Sequence, residues 1–208
     1  MHPILQNVEN LFHSVLGSVD AEEAQVHPGG NLLRWNVQQV VEHLILTYQL
    51  TSTTLTTRLE KRRPTAAKCT SLEWWLQMVV LSLGRMPKGA SAPPETVPPQ
   101  SSLPLSGREL AWKLSSEAEK MDELLSQCRT MFGLQRVASH QILGPLRVDQ
   151  WRRFHVIHGL HHLDQIQRIL AEAPTSHLPR QATPVLPNGV KRSPYTSESY
   201  ASPGITRR

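Results

Sequence analysis

Cysteine is scarce in this chain, and long apolar runs are missing altogether. Its 208 residues include two cysteines, Cys69 and Cys128, too few for a disulfide framework and not arranged as a CxxC pair. A reducing, cytoplasmic compartment is the plain expectation, and there any metal chemistry falls to histidines rather than thiolates. No run of 18 apolar residues occurs, which excludes a transmembrane helix. The first fifteen residues carry neither a basic stretch nor a continuous apolar one, so no secretory leader is expected.

A basic surface is lacking too, although the net charge is +5. Arg180, Lys191, Arg192, Arg207 and Arg208 against Glu198 place +4 of it beyond residue 172, leaving about +1 for everything before. No helical segment combines a Lys/Arg stripe with interleaved aromatics, so neither nucleic acid nor a membrane is an expected partner. Residues 173–208 are rich in Pro, Ser and Thr and poor in large apolar side chains. They are expected to form a disordered basic tail behind a single domain over residues 1–172.

Strand-like alternation is also absent, and helical periodicity is what remains. Ile4, Leu5, Val8, Leu11, Phe12, Val15 and Leu16 mark a first amphipathic helix over 3–18, with Gly17 as its stop. Asn36 offers an N-cap for a long helix over 37–62, with Val37, Val40, Val41, Leu44, Tyr48, Thr51, Leu55 and Leu59 inward. A shorter helix is expected over 71–84, with Trp74 and Trp75 packed on the bundle as part of a lid. Six prolines between Gly84 and Pro104 then preclude regular structure. Arg108 to Met131 reads as another long helix, Cys128 being a small core residue rather than a nucleophile, and residues 134–146 read as a connection. The last helix covers 148–171. Four long helices and one short one give an all-α four-helix bundle.

The chemistry concentrates in that last helix. Residues 151–169, WRRFHVIHGLHHLDQIQRI, hold four of the ten histidines within eight positions. At about 100° per residue, Trp151, His155, His158, His162, Gln165 and Ile169 fall within roughly 40° of one line. Apolar residues cover most of the remaining circumference, with Arg152, Arg153, Asp164, Gln167 and Arg168 on a broken polar side. Three imidazoles and an amide on the inward stripe must be satisfied, since each buried polar group without a partner costs on the order of 1–3 kcal/mol. His158 and His162, spaced i and i+4, can share one ion.

A third ligand must come from another element. His13 points about 60° off its helix face, and His140 stands in a connection. His155 is in register with the pair, but three ligands on one straight helix converge poorly. His43, on the inward edge of the second long helix, completes the choice: His43, His158 and His162. Three imidazoles without a fourth protein ligand leave an open position, the pattern of catalytic sites. Such a set suits Zn2+, Ni2+ or Fe2+, and the sequence does not choose. His155 reads equally as a group orienting a ligand, a proton shuttle or a satisfied core residue. Gln165 is placed to orient a ligand or bound water, and His161 to pack or face a partner. No Asp or Glu lies on the inward stripe, and Glu42 points about 100° away from His43.

Trp35 to Leu44, the segment GRMPKGASAPP after the short helix, and GPLRVDQWRRFHVIHGLHHLDQI together resemble the DinB-like, or YfiT-like, superfamily of bacterial four-helix bundles, over residues 3–171. The resemblance implies a divalent metal on one histidine of the second helix and an HxxxH pair of the last, here His43, His158 and His162. It further implies thiol S-transferase or hydrolase chemistry on a small substrate in some members, and frequent homodimers. Arg147 departs from the Ser or Thr that members often carry at the start of the last helix. Two functions follow as expectations: a metal-dependent enzyme acting on a small thiol or other small molecule, or a non-catalytic metal-stabilised bundle that binds a partner. An open position beneath the 71–104 segment favours the first, and a site sealed by Trp74 or Trp75 the second.

Overall fold

The computed structural model describes residues 1–86, 92–100 and 103–172. The expected disordered tail and its boundary at residue 173 lie outside the described residues. Within them the chain is an α-helical bundle of α1 (Pro3–Leu16), α2 (Val37–Glu60), α3 (Ser71–Gln77), α4 (Gly107–Phe132) and α5 (Val148–Glu172). One small hairpin, β1 (Ala138–His140) and β2 (Gly144–Leu146), precedes α5.

Helix starts follow local chemistry. Asn36, Thr70 and Ser106 each accept a hydrogen bond from the backbone N–H three residues on, and the side chains of Gln39, Glu73 and Glu109 accept one in turn from the cap's own backbone N–H. These reciprocal pairs satisfy amides that a helix start otherwise leaves orphaned. Arg147, before α5, offers no such side chain; its backbone N–H donates instead to Gln150 Oε1 at 3.0 Å.

α2 packs mainly against α4, and α1 lies against both α4 and α5. The core between them includes Phe12, Leu16, Leu44, Tyr48, Leu55, Leu110, Leu114, Met121, Leu125 and Ile166. Gly159 sits where α1 and α5 touch: a Cβ there would meet the Val8 side chain at 3.0 Å. A helix-interior glycine costs roughly 0.5–1 kcal/mol, and the close approach is what it permits.

Several expectations are corrected. On α1 the buried residues are Leu5, Val8, Glu9, Phe12 and Leu16, while Ile4 and Leu11 are exposed. The inward arc is centred between Leu5 and Phe12, and a carboxyl occupies part of it. The 71–84 segment is α-helical only to Gln77. Met78–Ser82 then forms a π turn, whose wider winding buries both Val80 and Leu81. Trp74 and Trp75 are 59% and 55% exposed, so neither is packed into the core. The connection 134–146 contains the hairpin, in register Ala138↔Leu146 and His140↔Gly144. Three-residue strands are too short to display alternation. Gly144 has φ +66°, and the Glu73 carboxyl of α3 lies where its Cβ would stand.

Candidate metal centre

α5 buries Trp151, His155, His158, His162 and Ile169, with Gln165 half-buried beside them. Around its circumference Phe154, Leu163 and Ile166 are buried and Leu160 is exposed. Arg152, expected on the polar side, is buried too. Its Nε donates to Asp122 Oδ1 at 2.7 Å and its Nη2 to Ser126 Oγ at 2.8 Å. A partner on α4 makes burial of the guanidinium tolerable, and that partner cannot be read from α5 alone.

His43, His158 and His162 meet. The Nε2 atoms of His43 and His158 are 3.3 Å apart, and those of His162 and His158 are 3.0 Å apart. One ligand atom from each residue lies within 4.8 Å of the others. His43 Nδ1 is 2.8 Å from the carbonyl oxygen of Thr96, and His162 Nδ1 is 2.9 Å from Gln165 Oε1. A carbonyl oxygen only accepts, so both rings carry their proton on Nδ1 and turn the Nε2 lone pair to the centre. This is the arrangement in which outer hydrogen bonds fix the tautomer of metal-binding imidazoles.

His158 has no outer partner, and its buried Nδ1 makes no hydrogen bond. With protein groups alone the trio cannot be satisfied. A proton on His158 Nε2 serves one facing lone pair and leaves Nδ1 an orphaned acceptor. A proton on Nδ1 leaves three lone pairs confronting one another. One divalent ion removes that conflict by accepting all three lone pairs, leaving the Nδ1–H of His158 as the one unpaired group of the trio. Metal–nitrogen bonds of 2.0–2.1 Å in a tetrahedral site put neighbouring nitrogens about 3.3 Å apart, which the observed spacings approach.

Electrostatics favour the same state. Burial holds His158 well below the ordinary imidazole range, and the neighbouring rings push it further. Burial lowers His162 to about 3 and also lowers His43, against the opposing pull of the Thr96 carbonyl. All three rings are therefore neutral near pH 7, as ligation requires.

The other candidates stand apart. His155 is fully buried with neither ring nitrogen hydrogen-bonded. It stacks on Trp151 at 5.8 Å and meets Tyr48 edge-on at 5.2 Å. No hydrogen bond connects it to a member of the trio, and both of its nitrogens are unsatisfied. His13 is exposed against Ser115 Oγ. Burial pushes the Cys128 thiol up to about 11, an inert core group. Thr96 and His140 contribute without a pattern in the sequence to mark them. Thr96 acts through a backbone carbonyl, which has no residue-specific signal. His140 lies in the hairpin, whose three-residue strands carry no periodic pattern.

The trio opens into a cleft of 380 Å³. Trp35, Trp151 and Phe154 form aromatic wall, Phe154 stacking on His158 at 5.3 Å and Trp35 lying 5.1 Å from the His43 ring. Thr47, Thr51 and Thr54 line the α2 side, and Met86, Ala92, Pro93 and Thr96 the segment after α3. His161 stands at the cleft as well. Neither Trp74 nor Trp75 lines it, and among its described lining residues there is no Asp, Glu, Lys or Arg.

The family model described as the DinB superfamily matches residues 4–166. The chain belongs to that superfamily. The matched span runs from α1 nearly to the end of α5 and contains all three histidines of the centre. No curated protein and no solved structure matches the chain. Family and geometry together describe a DinB bundle whose three histidines stand close enough to hold one metal ion. No helix among the described residues is long and apolar enough to cross a membrane.

Proposed function

We propose that this DinB bundle is a metal-dependent enzyme that transfers a group to a small thiol, or hydrolyses a small substrate, at the His43–His158–His162 centre. One observation carries the proposal: three Nε2 lone pairs converge, at spacings of 3.0 and 3.3 Å, on the wall of a 380 Å³ cleft. A centre built only to stabilise a bundle has no use for an adjoining cleft. A divalent ion held there lowers the pKa of a protic ligand in its open position, generating a nucleophile at neutral pH.

The residues of the chain have separable tasks. His43, His158 and His162 hold the ion, while Thr96 and Gln165 fix two of the rings in the ligating tautomer. Trp35 and Phe154 shield those rings from water. With no carboxylate among the described lining residues, no side-chain general base is assigned. An all-imidazole set suits Zn2+ or Ni2+, and Fe2+ after them. We assign the protein to the cytoplasm, where Cys69 and Cys128 remain thiols. The test is elemental analysis of protein purified without a polyhistidine tag, followed by assay of the loaded protein with small thiols and small esters or amides. About one divalent ion per chain and metal-dependent turnover are expected. Retention of stoichiometric metal by a His158→Ala, His162→Ala double variant would overturn the proposal.

A further inference from the structure

His140 belongs to no periodic segment of the sequence, and the fold brings it to the cleft. Its Nδ1 receives two backbone N–H groups of its own hairpin turn, Ile142 at 3.1 Å and Leu143 at 3.2 Å. An atom accepting two hydrogen bonds has no proton, so in the neutral ring the proton is on Nε2. Protonating Nδ1 would break both bonds, and burial opposes it as well, holding the ring at about 4. The ring is clamped edge-to-face on Phe154 at 4.4 Å and tilted on Trp151 at 5.6 Å. The turn itself is pinned to α3, Gln77 Nε2 donating to the Leu143 carbonyl at 2.6 Å. His140 therefore presents a neutral ring whose remaining hydrogen-bonding atom is a donor, held in place before any ligand arrives.

The rest of the wall defines what that donor can meet. The hydroxyls of Thr47, Thr51 and Thr54 donate to α2 carbonyls at 2.8–2.9 Å, so they offer the cleft only lone pairs. No formal charge stands among the described lining residues. Away from the metal centre, a charged substrate body would lose its hydration without gaining a counter-charge from any described lining residue, a heavy penalty. An aromatic or alkyl body meets Trp35, Trp151 and Phe154 at no such penalty.

We propose that His140 is a substrate-recognition donor, its Nε2–H received by a carbonyl-type oxygen on an uncharged molecule with an aromatic or alkyl body. This names the substrate class of the proposed metal site and depends on that site only for the reacting end of the molecule. His140 is a positioning residue and takes no part in bond making or breaking.

The test uses the full-length chain with ¹⁵N-labelled histidine, both loaded with Zn2+ and metal-free, titrated by NMR with benzamide, toluene and benzoate. Before ligand is added, the His140 ring is expected to be protonated at Nε2 and bare at Nδ1. Benzamide, and not toluene, should shift the Nε2–H resonance and bind about fivefold tighter, the value of one modest hydrogen bond. Benzoate should bind the metal-free cleft more weakly than benzamide. His140→Asn keeps a side-chain acceptor for the two turn amides and removes the ring donor. It should erase the benzamide advantage while leaving toluene binding unchanged. The opposite tautomer, an Nε2–H signal indifferent to benzamide, benzoate binding as tight as benzamide, or an advantage that survives His140→Asn would each overturn the proposal. The tautomer and the shift are read on the wild-type chain, so they decide even if the variant does not fold. Failure to bind Zn2+ would sink the metal proposal and leave these comparisons intact.

Discussion

His162 Nε2 stands 3.0 Å from His158 Nε2, one helical turn away on α5, with His43 Nε2 closing on the same atom from α2. A ligand that binds only the folded state stabilises it by RT ln(1 + [L]/Kd), about 4 kcal/mol at a thousandfold excess over Kd. Stripping the ion should therefore lower the melting temperature by several degrees, and replacing any one of the three histidines with Ala should reproduce the stripped behaviour. Calorimetry with and without chelator, paired with metal content, checks this. Equal melting temperatures for loaded and chelated protein would contradict it.

On α1 a buried carboxyl makes stability depend on pH. Glu9 is buried, accepting from Ser115 Oγ at 2.9 Å and from the Tyr48 hydroxyl at 3.4 Å. Burial raises its carboxyl from 4.5 to about 7, outweighing those two hydrogen bonds. A raised pKa gives stability that is fully present below 4.5 and is lost as pH climbs through about 7. The buried imidazoles run the other way: neutral in the fold and protonated in the unfolded chain, they lose stability as pH falls below 6.5. Glu9→Gln should thus be more stable than wild type by about 2–3 kcal/mol at pH 8 and nearly equal to it at pH 4. Urea unfolding at the two pH values measures the difference; a variant less stable than wild type at pH 8 would refute the assignment.

The same α1 marks where the sequence stops being legible. Helical period put the four long helices and the facing pair His158 and His162 in view, because one face of each is apolar over many turns. It could not say that Glu9 is buried and Ile4 exposed. Both fit an amphipathic arc, and the choice depends on how α1 sits against α4 and α5. The burial of Arg152 is illegible for a similar reason, since it requires Asp122 on another helix. His43 was within reach, since it lies on an inward edge of a long periodic segment. His140 and Thr96 were not, because a three-residue strand and a backbone carbonyl leave no periodic trace.

Asp122 and Arg152 supply a test of that tertiary compensation. Asp122 is 4% exposed and Arg152 7%, and Asp122 Oδ2 also receives the backbone N–H of His2 at 2.6 Å. Removing one member of a buried ion pair leaves the other charge stranded, at about 3–5 kcal/mol. Asp122→Ala should lose that much in equilibrium unfolding, and Asp122→Asn, which keeps the acceptor oxygen but not the charge, should lose less. A loss below about 1 kcal/mol for the alanine variant would show the pair to be dispensable.

His155 separates ligation from mere proximity. It precedes His158 by one turn and shares its stripe, yet both of its nitrogens are unbonded and its ring lies among Trp151, Phe154 and Tyr48. An imidazole that makes no hydrogen bond in an apolar site contributes packing and carries a desolvation penalty of roughly 1–3 kcal/mol. His155→Leu keeps most of the volume and removes the penalty. It should leave metal affinity within about threefold of wild type and hold or raise the unfolding free energy by up to about 1 kcal/mol. His162→Ala, by contrast, removes a coordinating nitrogen and should weaken the metal by about a hundredfold or more, as far as loss of an outer orienting group reaches at its most severe. Competition titration with a chromophoric chelator gives both affinities on one scale. If His155→Leu loses metal as severely as His162→Ala, the ion is seated deeper along α5, and His155 belongs among its ligands.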